Sequence, residues 1–449
     1  MRVVINPVFI LLILLAVITV LGLLTAVKAF CLAMTKSNDR KRRKPDVRFK
    51  ITVFSVILLA VVILFVTIPM NRILFITFAV LVIGIIGVLI VIIIMLIHII
   101  NEKTAELEKA AVAELDLSLG KELQKKFLPL DTGPDGNKFN SGCHYTKNAV
   151  FFGYYEGAQG ISGDYFDFRD LDGRYYAVIK CDVAGKGIPA ALLMVQVATM
   201  FNNYFKNWKP SVSGMRIEEF VYQINDLTDT LGFKGRFAAF TLCLFDSETG
   251  DLHFCNAGDN RIHICDTSEK CVKSITLPQA PAAGILESSM VKSKGGYQVQ
   301  TITLDHGDIL LLYSDGIEES KSSYRQGNEE LGAQRVNDII NAVLNRRMYN
   351  LHDLCFDYSN CSGTAEDVIM ALICAEKMFR CYRNAKVTKN DRVPVDIKID
   401  AFLKKHFLQY QHYCSRTSDP PDNSTYMWYT NLKEVEQYDD LAILGIERK

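Results

Sequence analysis

No excess of charge of either sign marks this chain: its 449 residues carry 50 Lys and Arg against 50 Asp and Glu. The basic balance expected of a nucleic-acid binder is missing. Paired cysteines are missing too. The 12 cysteines, Cys181, Cys243, Cys255, Cys265 and Cys374 among them, are scattered without a recurring Cys-x-x-Cys spacing. Several fall in apolar, strand-like runs, where a free thiol behaves as a small hydrophobe. That argues against a disulfide scaffold and for a reducing compartment. Charge is absent altogether from Val3–Val27, Ile51–Met70 and Ile73–Ile97. Each stretch approaches or exceeds the roughly 20 residues a helix needs to cross a bilayer core. The first lacks a clear small-residue cleavage site, and its basic residues follow rather than precede it, unlike a signal peptide.

What charge there is near these stretches sets an orientation. Lys36 and the basic run from Arg40 to Lys50 crowd the first loop, whereas only Arg2 precedes the first span. The basic loop is expected in the cytoplasm, with the N-terminus outside. Pro69-Met70-Asn71-Arg72 makes a short outer turn, and the third span returns the chain to the cytoplasm. Residues 1–100 are thus expected to be a multi-pass anchor in the inner (cytoplasmic) membrane.

Residues 101–130 read as a helical stem. Leu115, Leu119, Leu123 and Phe127 recur four residues apart, with Leu107 and Ala111 above them. Such spacing puts them on one stripe of a helix. Gly120 weakens the helix and Pro129 stops it. The stripe suits either a packed amphipathic helix or a parallel coiled coil in a homodimer, and spacing alone does not choose.

From residue 131 to 449 the pattern turns to short apolar runs. Tyr175–Cys181, Ala238–Phe245, Leu252–Cys255, Arg261–Cys265, Val299–Leu304, Ile309–Tyr313 and Leu441–Ile446 read as strands. Turns at Asp172-Gly173, Thr249-Gly250 and His306-Gly307 separate several of them. Pro189–Phe205 and Ile217–Thr230 read as helices. Hairpins with grouped helices argue an α+β domain with antiparallel sheets.

Four acidic motifs sit at the ends of these runs: Gly163-Asp164-Tyr165-Phe166-Asp167, Asp182-Val183-Ala184-Gly185-Lys186-Gly187, Ser314-Asp315-Gly316 and Asp439-Asp440. Singly, an Asp-Gly after a strand is a turn. The second motif is more specific, because two glycines and Pro189 prepare an abrupt strand-to-helix turn. Together, carboxylates on loop ends suit hard divalent cations, which take oxygen ligands.

In this order, with Asp182-Val183-Ala184-Gly185-Lys186-Gly187-Ile188-Pro189-Ala190-Ala191-Leu192-Leu193-Met194, Asn256-Ala257-Gly258 and Tyr313-Ser314-Asp315-Gly316-Ile317-Glu318-Glu319, the set resembles the SpoIIE/RsbU branch of the PPM (protein phosphatase 2C-like) phosphatases. The approach Glu122-Leu123-Gln124-Lys125-Lys126-Phe127-Leu128-Pro129 is similar as well. The resemblance covers about residues 120–345 and the last dozen. It implies an αββα sandwich of two antiparallel sheets flanked by helices. It also implies a serine/threonine phosphatase using two manganese or magnesium ions. Asp182 would then bridge the metals and the carbonyl of Val183 would bind one of them. Asp164, Asp315 and Asp439 would supply the other carboxylates, with Asp440 as the alternative to Asp439. Water activated by the metals would attack the phosphoryl group in line. Lys186, beside the turn, is a candidate phosphate ligand, against the plainer reading of a solvated lysine. In the family the partner is commonly an anti-sigma-factor antagonist or a similar phosphorylated regulatory domain.

The chain departs from the family in places. Asp259 and Asn260 replace the His-Pro that often follows Asn-Ala-Gly, Ala184 stands for a common Ser, and Ala442 for a Thr or Ser. About residues 350–435 intervene before the final Asp pair. Glu366–Tyr382 and Ile399–Tyr413 look helical there, and Ser415–Ser424 looks like a polar loop. A cap that shapes partner choice is the expectation. His406, His412, Cys355, Cys361 and Cys414 fit no familiar zinc spacing. Two other functions use the same plan. A catalytically silent membrane scaffold would have lost the metal carboxylates, and all are present. A diguanylate-cyclase-type enzyme would need a Gly-Gly-Asp/Glu-Glu-Phe loop, which Gly163-Asp164-Tyr165-Phe166 only superficially matches.

Overall fold

The computed structural model of the protein describes residues 72–158, 161–231, 235–322, 329–352, 354–381, 397–409 and 437–449. The stretches 3–27 and 51–70, the basic loop between them, the loop 415–424, His412 and Cys414 lie outside the described residues. Two units divide the chain, Met1–Thr104 and Ala105–Lys449. The described part of the first belongs to helix α1, Arg72–Lys125. The third expected span lies in it. By length and composition, α1 is the one helix among the described residues able to cross a membrane. Three spans are therefore an expectation of which one apolar helix is seen.

In the second unit, the leucine stripe of α1 stands clear of the domain. Leu115, Leu119 and Leu123 are 59%, 55% and 59% exposed, and burial begins only at Gln124 and Lys125. The stripe is not a packing face of this domain.

Strands β1 (Ser141–Tyr145), β2 (Ala149–Glu156), β7 (Arg261–Asp266), β8 (Cys271–Thr276), β10 (Ile309–Tyr313) and β15 (Leu441–Arg448) form a six-stranded sheet in the order β1-β2-β15-β10-β7-β8. Strands β3 (Tyr165–Asp170), β4 (Tyr175–Val183), β5 (Ala238–Asp246), β6 (Asp251–Ala257) and β9 (Val299–Thr303) form a five-stranded sheet in chain order. Every pairing in both sheets is antiparallel. Two small hairpins complete the strands: β11 (Lys321–Ser322) with β12 (Glu329–Glu330), and β13 (Met348–Leu351) with β14 (Leu354–Asp357).

Side-chain alternation builds the layers. In β2, Phe151 and Tyr155 join the core shared with the five-stranded sheet, whereas Phe152 and Tyr154 face the opposite core. In β10, Leu310 and Leu312 point one way and Ile309 and Leu311 the other. β15 does the same with Ala442 and Leu444 against Leu441 and Ile443. Helices α2 (Ile188–Tyr204) and α3 (Glu218–Leu231) cover the five-stranded sheet. Helix α2 buries Leu193, Met194, Val197 and Phe201 on one face. Each large apolar side chain so buried contributes about 1.5–3 kcal/mol. On the other side, α5 (Ala365–Cys381) packs on β2 and β15, flanked by α4 (Gly332–Leu344) and α6 (Ile397–His406). Part of the segment that reads as an inserted cap thus supplies an outer layer of the sandwich. The helix expected over Ile399–Tyr413 ends at His406, and its residues from 410 on lie outside the described residues.

Candidate active site

Each sheet carries its acidic motifs to the same end. Tyr165 of β3 pairs with Cys181 of β4, which sets Asp164 beside Asp182. Tyr313 of β10 pairs with Ile443 of β15. Ser314 extends that ladder: its N–H donates to the Ala442 carbonyl at 2.9 Å, and its Oγ accepts from the Ala442 N–H at 3.1 Å. Asp315 therefore lies beside Asp439 and Asp440. Asp440 joins the two halves. Its Oδ1 accepts the Ala158 N–H at 2.7 Å and its Oδ2 accepts the Gly163 N–H at 3.3 Å.

Gly316 shows how closely these loops meet. A Cβ built there would stand 2.0 Å from the Asp440 carbonyl oxygen and 3.3 Å from the Asp439 Cβ. Gly316→Ala should push the final Asp pair away from Asp315 and cost about 1–3 kcal/mol, the usual range for overpacking. Urea unfolding of the variant checks this; an unchanged midpoint would mean that the loop yields freely.

The carboxylates lie close enough to raise one another. Burial comes first for Asp164, followed by the charges of Asp182 and Asp440, and its pKa stands well above the usual carboxylate range. Burial and then Asp315 push Asp182 up to about 6, against the opposing pull of Lys180. Asp315 is raised by burial and by Asp439. Asp440 is raised by burial, although hydrogen bonds from Ser162, Ala158 and Gly163 oppose the shift. Crowded acids of this kind either hold protons or need a cation.

The turn after β4 is tightly held. The Val183 N–H donates to the Gly163 carbonyl at 3.3 Å, and Arg236 Nη1 donates to the Ala184 carbonyl at 2.8 Å. Gly185 has φ of 91°, and a Cβ there would meet Arg236 Nη1 at 2.0 Å. Only glycine fits that conformation beneath the guanidinium. The Lys186 ammonium is occupied by the C-terminal loop. It donates to the Tyr438 carbonyl at 2.5 Å and pairs with Asp439 at 3.2 Å.

A buried cation lies behind the carboxylates. Lys180, two residues before Asp182 on β4, donates to the Tyr313 carbonyl at 2.9 Å and pairs with Asp259 Oδ2 at 2.7 Å. Thr241 Oγ1 also donates to Asp259 Oδ2 at 2.8 Å. The unusual Asp259 is thereby explained as the counter-ion of Lys180. In the sequence Asp259 stands out only as a departure from the family pattern; the local signal for the pair is a lysine in the middle of an apolar strand, which needs a partner.

Does this donor set fit divalent cations? All the donors are oxygens, as hard cations prefer. Asp164 Oδ2 is buried without a hydrogen-bond partner. Such an orphaned charged atom is costly unless something pairs with it. Among the described residues no three acidic, His or Cys side chains close on one point as a finished ligand shell. The chemistry and burial fit a cation, and the loops leave its shell open.

The Stage II sporulation protein E family model matches residues 172–373. That match covers a little under half of the chain and marks a SpoIIE-type domain within it. That match includes Asp182 and Asp315; Asp164 and the final Asp pair lie outside it and are brought in by the fold. Protein IcfG of Synechocystis sp. is 25% identical over 255 residues, 52% of this chain and 37% of that protein. The chain thus spans little more than a third of that curated relative. Among solved structures, the SiaA PP2C domain of Pseudomonas aeruginosa is similar at 14% identity and TM-score 0.46, over 76% of this chain and 98% of that one. The RsbU and RsbW domains of a Mycobacterium tuberculosis protein are similar at 16% identity and TM-score 0.41, over 67% of this chain and 60% of that one.

Other nucleophiles in the second unit are badly placed. Cys255 and Arg261, and Cys374 and Arg380, stand at the Cys-x5-Arg spacing of cysteine phosphatases. Cys255, however, is buried within β6, and burial pushes its thiol up to about 12. Cys374 is buried within helix α5. Neither is a reactive thiolate on a loop. His406 and Cys361 lie together, Nε2 to Sγ 3.8 Å, with His406 Nδ1 2.8 Å from the Asp357 carbonyl oxygen.

Proposed function

We propose that this chain is a membrane-anchored, metal-dependent protein serine/threonine phosphatase acting on a phosphorylated regulatory protein. The observation that carries this reading is the meeting of Asp164, Asp182, Asp315 and Asp439 from both sheets, with Asp164 Oδ2 buried and unpartnered. Asp164, Asp182, Asp315, Asp439 and the Val183 carbonyl are the proposed ligands. Manganese or magnesium ions held there supply activation of water and neutralisation of the phosphoryl charge. The chain's own groups set the stage. Asp440, fixed by backbone N–H groups, holds the loop ends together. Lys186 steadies Asp439 rather than standing free for phosphate. Lys180 offsets part of the local negative charge.

Residues 1–100 are the proposed multi-pass anchor in the cytoplasmic membrane, 101–130 the stem and 131–449 the phosphatase domain on the cytoplasmic side. The apolar helix α1 and the basic loop support this placement. The partner is proposed to be an anti-sigma-factor-antagonist-like domain. The exposed stripe of Leu115, Leu119 and Leu123 supports a homodimer through the stem. Leu119→Asp should then convert the detergent-solubilised dimer to monomer, as read by light scattering. An unchanged mass would remove the stem from the interface.

Phosphate release from a phosphoserine protein by the purified full chain tests the activity. Release with manganese, loss with a chelator and loss in Asp182→Asn are expected. Folded, metal-loaded protein that binds the phosphoprotein without releasing phosphate would favour a silent scaffold.

A further inference from the structure

The last turn of α1 reaches into the active site through one side chain. Gln124 is 3% exposed although it follows the exposed Leu123. Its Nε2 donates to the Ser162 carbonyl at 2.5 Å. Its Oε1 accepts the Ser162 N–H at 2.9 Å and the Tyr155 hydroxyl at 3.2 Å. One amide thus grips both backbone groups of a single residue, as a neighbouring strand would. The Ser162 N–H can only donate and its carbonyl can only accept, which fixes which end of the amide is oxygen.

Ser162 is the hub of one half of the carboxylate cluster. Its Oγ accepts the Asp164 N–H at 2.9 Å. The next residue, Gly163, donates its N–H to Asp440 at 3.3 Å and accepts from the Val183 N–H at 3.3 Å. Ser162 therefore sits one or two bonds from Asp164, Asp440 and Val183. Loops alone hold such groups loosely, and outer-shell partners set how well ligands are oriented.

We propose that Gln124 is a positioning residue for the metal centre: it clamps Ser162 so that Asp164 and Asp440 are presented together. This rests on the metal-dependent reading given above. It also makes the end of the stem helix part of the site's support. A change in how α1 ends would reach Asp164 through a single buried amide.

Manganese binding to the full chain in detergent, measured by isothermal titration calorimetry, tests the inference. Wild type, Asp182→Asn, Gln124→Leu, Gln124→Glu, Tyr155→Phe and Lys126→Ala would be compared, each with its metal-free melting temperature. Gln124→Leu should weaken manganese binding on the order of 10–100-fold, the range for lost outer-shell partners. Gln124→Glu keeps an acceptor but sets a carboxylate oxygen against the Ser162 carbonyl, so it should weaken binding at least as much. Lys126→Ala, exposed at the same helix end, should bind as wild type does. If Gln124→Leu does not fold, Tyr155→Phe removes only the hydroxyl that donates to the amide oxygen and should still weaken binding several-fold. A lower metal-free melting temperature with unchanged manganese affinity would reduce Gln124 to a structural role and overturn the inference, while the phosphatase reading stood. Equal affinity in wild type and Asp182→Asn would instead sink the metal-centre reading and this inference with it.

Discussion

Asp182→Asn is expected to abolish phosphate release while making the metal-free protein more stable. The two effects have one cause. Asp182 is pushed up to about 6 by burial and by Asp315, so its charge is unwelcome in the folded, cation-free state. Relative to an ordinary carboxyl the shift is worth on the order of 2–3 kcal/mol. The sign follows from proton binding. With the folded pKa above the unfolded one, the folded state holds the proton more tightly. Stability from this group is then present at low pH and lost as pH rises through about 6. Asparagine carries no charge, so the variant's advantage should be small near pH 4 and full above about pH 6. Urea unfolding of both proteins at several pH values, with chelator present, measures it. With manganese the order should reverse, and the rate should fall about a thousandfold or more, since metal assistance is worth several kcal/mol. A variant less stable than wild type in chelator at pH 7.5 would show that the carboxylates do not repel as their burial requires.

The second large effect concerns Lys180 and Asp259. Both side chains are mostly buried, 8% and 15% exposed, and their charged atoms are 2.7 Å apart. Removing one partner of a buried pair leaves an uncompensated charge and typically costs about 3–5 kcal/mol. Lys180→Met should therefore destabilise the domain by that order. It should also deprive Asp182 and Asp315 of a charge that lowers their pKa. The double variant Lys180→Met, Asp259→Asn removes both charges and should recover much of the lost stability. Thermal unfolding of the two singles and the double gives the coupling. Additive losses would mean that the pair is not energetically linked in solution.

Much of this arrangement is legible in the chain, because strands and their turns leave local marks. The runs Ala238–Phe245 and Ile309–Tyr313 reappear within one residue of β5 and β10. Helix α2 starts one residue before Pro189, as the glycines and proline of the turn require. Period-four spacing also marks α1. What escapes has weaker local signals. Strand β1 is Ser-Gly-Cys-His-Tyr, without alternation, and is a strand because β2 pairs with it. Helix α4 does carry spaced apolar residues, Val336, Ile339, Ile340 and Val343, that were open to reading. The role of α5 as a sandwich layer depends on β2 and β15, far away in sequence.

At the site, the acidic motifs announce themselves by their strand ends, and their convergence is what the fold adds. Asp440 is the instructive case. Sequence order ranks it behind Asp439 as a ligand, yet it is the group whose carboxylate takes backbone N–H bonds from Ala158 and Gly163. Neither Gln124 nor Lys180 could be assigned a partner from sequence, because Ser162 and Asp259 are 38 and 79 positions away respectively.

The position of β15 has a consequence for how the protein is made. The strand is near the C-terminal end of the sequence yet lies between β2 and β10, in the interior of its sheet. A growing chain that has already produced β2 leaves the ribosome with that slot open. At ordinary elongation rates the gap lasts roughly tens of seconds before Leu441–Arg448 emerges. During that interval the apolar edges of β2 and β10 need shielding, and the Asp439–Asp440 corner does not yet exist. On the proposed reading of the site, a nascent chain that still lacks Leu441–Arg448 would lack this corner and would not release phosphate.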